Sequence, residues 1–140
     1  MKVFVSSAYV DEPLALKAAK TFREAGLEVW SAAEILPGDN WAEAHARALE
    51  SSDAMVVLLS PASVHSREVL GDMSFALGAS PYKGRIIPIV TSSTDVLNSK
   101  NVPWVLKRMT AVDLEAYNRP EEAFQHVADE LKRGLSLVDG

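Results

Sequence analysis

Short apolar runs alternate along the chain with stretches whose apolar residues recur every three or four positions. The runs read as strands of a covered sheet and the spaced stretches as the helices that cover it. Strands are expected at 2–6, 27–30, 54–59, 85–90 and 110–114. The run at 54–59 is apolar throughout, as a strand buried on both faces must be. Pro88 weakens the fourth strand, because its ring nitrogen cannot donate to a neighbour. A first helix is expected from Asp11-Glu12-Pro13, where acidic residues complement the N-terminal dipole. Leu14, Ala18 and Phe22 share its inner face, and Gly26 ends it as a left-handed cap. Asn40 with Glu43 forms a capping box for a second helix, which runs to about residue 52. A third starts near Ser66, turns Val69, Met73, Ala76 and Leu77 inward, and ends at Gly78 or near Pro81. A short helix is expected at 102–107. Asn118 with Glu121 opens the last helix, whose inner face is Phe124, Val127 and Leu131.

Strands alternating with helices, joined by right-handed crossovers, leave few topologies. The expected fold is α/β and flavodoxin-like: a doubly wound, five-stranded parallel sheet in the order 2-1-3-4-5 with 54–59 at its centre. Ligands bind such sheets outside the carboxyl ends of the strands, where the winding reverses between the first and third strands. That places Ser6 and Ser7, the chain from Ser60 onward, and the loop 35–41 around one cleft. With 140 residues and no repeat or linker, one domain is expected over 1–134. Residues 135–140 are expected to be a frayed tail or the start of a linker to a further domain.

Composition narrows the chemistry. Apolar residues make up 48%, enough for a sizeable core. The net charge of -5 argues against a nucleic-acid surface. No apolar run is long enough to span a membrane, and 3–5 is too short for a signal-peptide core. The absence of cysteine removes disulfides, thiol nucleophiles and thiolate metal sites, and fits a cytoplasmic location. Neither G-x-G-x-x-G after the first strand nor G-x-x-x-x-G-K-[ST] occurs, so dinucleotide dehydrogenases and P-loop NTPases are unlikely readings. His45, His65 and His126 have no ligand spacing, so surface or helix-face roles are expected and no metal centre is. Glu68 and Asp72, at i and i+4, share a helical face. They form either a solvated acidic face near a helix start or a pair of carboxylates at the switch point. Trp41 either folds onto its own domain or walls a ligand site. Trp104, after a proline, is expected against the sheet edge.

Together these pieces resemble a TIR (Toll/interleukin-1 receptor) domain over nearly the whole chain. Val3-Phe4-Val5-Ser6-Ser7 is similar to the family's first box, and 26–30 to its second strand. Leu36-Pro37-Gly38-Asp39-Asn40-Trp41 is similar to the bacterial form of the BB loop, the most specific segment. Residues 51–61 resemble the third strand and its exit, 66–78 helix C, and 85–90 the fourth strand. The resemblance implies a signalling or antiphage-defence protein that cleaves NAD⁺ as a substrate, by hydrolysis or cyclisation, with no cofactor. It also implies self-assembly with other TIR domains through Ile35, Leu36, Pro37, Gly38, Asp39 and Asn40. The family's helix C carries a tryptophan and, four residues on, a catalytic glutamate. The matching positions are Glu68 and Asp72, so the carboxylate here is shorter by about one carbon–carbon bond, and a misplacement of about 1 Å can cost ~100-fold in rate. On this reading Asp72 and Glu68 are the catalytic candidates, and Ser6, Ser7, Trp41 and Ser66 bind substrate.

Two other functions stay open on the sequence. One is a TIR assembly module with little chemistry. The other is an enzyme resembling nucleoside deoxyribosyltransferases, which also place a carboxylate before an Ala-Leu-Gly run, here Ala76-Leu77-Gly78.

Overall fold

The structure, a computed structural model, describes residues 1–34, 40–78, 82, 85–108 and 111–139, and the side chains of all of these except 94, 108 and 134–139. Five strands form one sheet: β1 (Lys2–Ser6), β2 (Glu28–Ser31), β3 (Ala54–Leu59), β4 (Ile86–Val90) and β5 (Val112–Asp113). Their order is β2-β1-β3-β4-β5, and every pairing is parallel. The four α-helices are α1 (Glu12–Glu24), α2 (Trp41–Ser51), α3 (Arg67–Gly78) and α4 (Pro120–Asp139).

Side chains alternate across a strand, so β3 feeds two cores. Ala54, Val56 and Leu58 pack with Ala18 and Phe22 of α1 and with Phe124 and Val127 of α4. Met55, Val57 and Leu59 pack with Leu49 of α2 and with Val69 and Met73 of α3. Coverage on both faces is the reason the run had to be apolar throughout. On the second face, Tyr82 is fully buried and donates its hydroxyl to the Leu49 carbonyl (2.7 Å), fixing the end of α2.

Gly26 takes a positive φ of 93°. Its N–H bonds to Arg23 O (2.9 Å), and the Leu27 N–H bonds to Phe22 O (3.0 Å). These two bonds form a Schellman cap. Leu27 is therefore spent on closing α1, and β2 starts one residue later than the expected 27–30. Pro88 is accommodated in an interior strand by ladder parity. Met55 N–H bonds to Arg85 O and Thr91 N–H to Leu59 O, so odd-numbered residues of β4 face β3. Pro88 faces the other way, where β5 pairs only with Ile89 and Val90.

Three expectations are corrected. The strand expected at 110–114 reduces to Val112–Asp113, because the Asp113 carboxylate accepts from Glu115 N–H (3.0 Å) and turns the chain into a 3-10 helix at Leu114–Ala116; Thr110 lies outside the described residues. The helix expected at 102–107 is a set of turns ending in a 3-10 helix at Leu106–Arg108, with backbone bonds closing over three residues rather than four. Trp104 is 66% exposed rather than packed on the sheet edge. In addition, α4 begins at Pro120, one position past the start that the Asn118–Glu121 box implies, with proline at its first turn where its fixed φ fits.

Candidate active site

The carboxyl ends of β1 and β2, with the starts of α2 and α3, enclose a cavity of about 270 Å³. Its chemistry centres on Asp72. That residue lies in the inward stripe of α3 with Val69, Met73 and Ala76, a carboxylate at a core position, and it is 4% exposed. A buried carboxylate needs donors. Ser6, the last residue of β1, donates its hydroxyl to Oδ2 at 2.8 Å. On the other oxygen, His45 Nε2 lies 2.7 Å from Oδ1. Each carboxylate oxygen has a second lone pair that these bonds leave open.

Burial pushes the Asp72 carboxyl above the usual carboxylate range; the Ser6 hydroxyl and then His45 pull it back, and Glu68 one turn earlier pushes it up slightly. Burial therefore outweighs two good donors here.

His45 is placed by α2. Asn40 accepts from Glu43 N–H (3.2 Å), so the expected N-cap forms, while the Glu43 carboxylate accepts from the Asn40 side-chain amide (3.3 Å) rather than from its backbone N–H. With the helix start fixed, Trp41 and His45 stand one turn apart above Ala48 and Leu49, on the buried face. Trp41 stacks on His45 (centroids 4.7 Å, planes 11° apart). Phe4 of β1 meets His45 edge-on at 5.6 Å and stacks on Trp30 of β2 at 4.7 Å. His45 is thus held from two sides and aimed at Asp72.

All six residues singled out for substrate contact or catalysis line this cavity: Ser6, Ser7, Trp41, Ser66, Glu68 and Asp72. Trp41 packs on its own domain and also lines this cavity. Glu68 is exposed at the rim, where Ser66 shares a hydrogen bond with it (3.3 Å). Ser60 does not reach the cavity. Its hydroxyl donates to Asp11 (2.5 Å), and with Ser63 it closes the turn after β3. The loop residues Ile35, Leu36, Pro37, Gly38 and Asp39 lie outside the described residues, and Asn40 serves as the α2 cap. The other lining residues were not anticipated, Tyr9, Glu12, Trp30 and His45 among them. For His45 the signal was available, since 41, 45, 48 and 49 follow the spacing of one helical face. His65 and His126 are exposed, as expected.

Trp30 also lines a larger cavity of about 400 Å³ beside β2. Its charges are already matched within it, Arg23 to Glu34 (2.7 Å) and Arg47 to Glu43, and it holds no buried carboxylate. The smaller cavity is therefore the better candidate. Among the described residues, no group of three His, Asp or Glu is placed to hold a metal, and no helix is long and apolar enough to cross a membrane.

The family model of the TIR domain matches residues 3–128. This chain belongs to the TIR domain family. No curated protein matches it in sequence. Among solved structures, the TIR domain of the Toll-related receptor TRR-2 from Hydra magnipapillata is 21% identical, with 95% of this chain and 93% of that chain covered and a TM-score of 0.64. The TIR domains of the activated Roq1 resistosome are 15% identical over 91% of this chain and 83% of that chain, with a TM-score of 0.58. A CMP N-glycosidase from Clostridium botulinum, BcmB, is 15% identical over 91% of this chain and 98% of that chain, with a TM-score of 0.54. At these identities the likeness is one of fold. In this TIR domain, the Asp72 cavity lies at the carboxyl end of β1, on the side of β2.

Proposed function

We propose that this TIR domain, as a cytosolic signalling or defence protein, cleaves NAD⁺ at the nicotinamide–ribose bond and is switched on by self-assembly. The observation that carries the reading is the buried Asp72 carboxylate, held by Ser6 and His45 in an aromatic-walled cavity at the carboxyl end of β1. Cleavage breaks the bond between ribose C1′ and the pyridinium nitrogen. The electron pair leaves with neutral nicotinamide, and positive charge builds on the ribose as in glycoside hydrolysis. The ionised Asp72 stabilises that cation, and its free lone pairs accept from the ribose hydroxyls. Water then adds to C1′ and releases a proton, or a nitrogen of the adenine closes a ring. Trp41 packs on the planar end of the substrate. The N-glycosidase activity in the name of one structural neighbour, and the resistosome in another, lend support to bond class and assembly.

The test is nicotinamide release at high protein concentration. The parent should turn over, and Asp72→Ala should abolish release while the far-ultraviolet spectrum is kept. Release at the parental rate by Asp72→Ala removes the carboxylate from the mechanism. If the parent is silent even when assembled, the domain is an assembly module.

A further inference from the structure

NAD⁺ carries two kinds of charge: a cationic pyridinium and an anionic diphosphate. The cavity is built for the first. Glu12, Glu68 and Asp72 line it, and among the described residues no Lys or Arg does.

Helix N-termini are the usual phosphate cradles in such folds. Here each of the three nearby helices carries its own carboxylate in its first turn: Glu12 on α1, Glu43 on α2 and Glu68 on α3. A phosphate seated at any of them would meet a negative charge where it needs a donor. The aromatic lining has the opposite preference. Tyr9 is 83% exposed and Trp41 is 38% exposed, and the faces of such rings attract cations. A net charge of -5 extends the same bias beyond the cavity.

We propose that the cavity takes a cationic nucleoside without phosphate, of the nicotinamide riboside class, in preference to the dinucleotide. The proposal rests on the reading of the site as one that cleaves a nicotinamide–ribose bond. The riboside keeps the bond to be broken and the pyridinium charge, and drops the diphosphate, for which no described lining residue supplies a Lys or Arg.

The experiment compares nicotinamide riboside with NAD⁺ on the full chain, by kcat/KM for nicotinamide release and by calorimetric binding. At low salt the riboside should be favoured by about tenfold, the lower end of what a one-signed cleft does to ligand capture. The gap should narrow in about 1 M salt, where the screening length falls to ~3 Å. Glu12→Gln and Glu68→Gln should each narrow it too, since both remove charge that faces water. NAD⁺ bound or turned over as well as the riboside at low salt overturns the proposal. So does a preference that neither salt nor these substitutions move. Tighter binding of the riboside without turnover of either compound upholds the ligand class and sinks the cleavage reading instead, so the two failures are separable.

Discussion

Asp72 is short for its place in the family, and the structure shows what meets it. On sequence alone, Asp72→Glu should restore lost reach. With Ser6 at 2.8 Å and His45 at 2.7 Å, an extra methylene pushes the carboxylate out of the position that both bonds fix. Asp72→Glu is therefore expected to lower nicotinamide release, by ~100-fold if the carboxylate moves by about 1 Å; a rise would mean that His45 yields. The charge itself has a second consequence. In the unfolded chain this carboxyl ionises at the ordinary 3.8, and in the fold burial delays that ionisation. Between the two values the folded chain keeps a proton that the unfolded chain has lost. Stability then falls as pH rises through that window and levels off above it. Asp72→Asn has no such loss, so the Tm difference should drift in favour of the variant from about pH 4 upward. The opposite drift would mean that Ser6 and His45 outweigh burial. Activity should follow the same titration in reverse, appearing only as Asp72 ionises, and Glu68→Gln should move its onset to lower pH.

At the level of elements, the helix starts and strand interiors were legible, and the reasons are local. The run at 54–59 has one stable place in a doubly covered sheet, and Gly26 has one conformation its neighbours cannot adopt. What could not be read depends on partners distant in sequence. The fit of Pro88 comes from the parity of a ladder set by β3, whereas the brevity of β5 comes from a local signal that was missed, an aspartate turning back on its own backbone. The cavity shows the same division. Ser6 and Trp41 could be placed from the topology, because one ends β1 and the other begins α2, and Asp72 from its helical spacing within α3. His45 could not be paired with Asp72, which lies 27 residues away, until α2 and α3 were packed together. The N-cap is where sequence and site meet, since Asn40 fixes the turn that carries both Trp41 and His45. Asn40→Ala should cost about 1 kcal/mol, seen as a lower Tm. It should also lower nicotinamide release at temperatures where the fold is intact, because the α2 start that aims His45 is loosened. Loss of stability with full activity would separate the cap from the site.

The whole molecule joins the site to the surface through one short path. The segment 35–39 runs between Ala32 and Trp41, and both of these line the cavity. Trp41 stacks on His45, and His45 bonds to Asp72. On the proposed function, a partner domain that took hold of this segment would act on Trp41, and two contacts later on the carboxylate. Assembly would then have a physical route to chemistry, with binding energy spent between protomers fixing the position of a group inside each one. The expected result is a rate of nicotinamide release per protein molecule that climbs steeply with protein concentration, in step with self-association followed by light scattering. Asp39→Ala changes the segment and leaves the path intact, so it should move both curves to higher concentration together and reach the parental rate once assembled. Trp41→Ala cuts the path, so it should lower the rate even where scattering shows full assembly. A rate per molecule that stays flat while scattering grows would disconnect assembly from catalysis, and the route through Trp41 and His45 would then be packing alone.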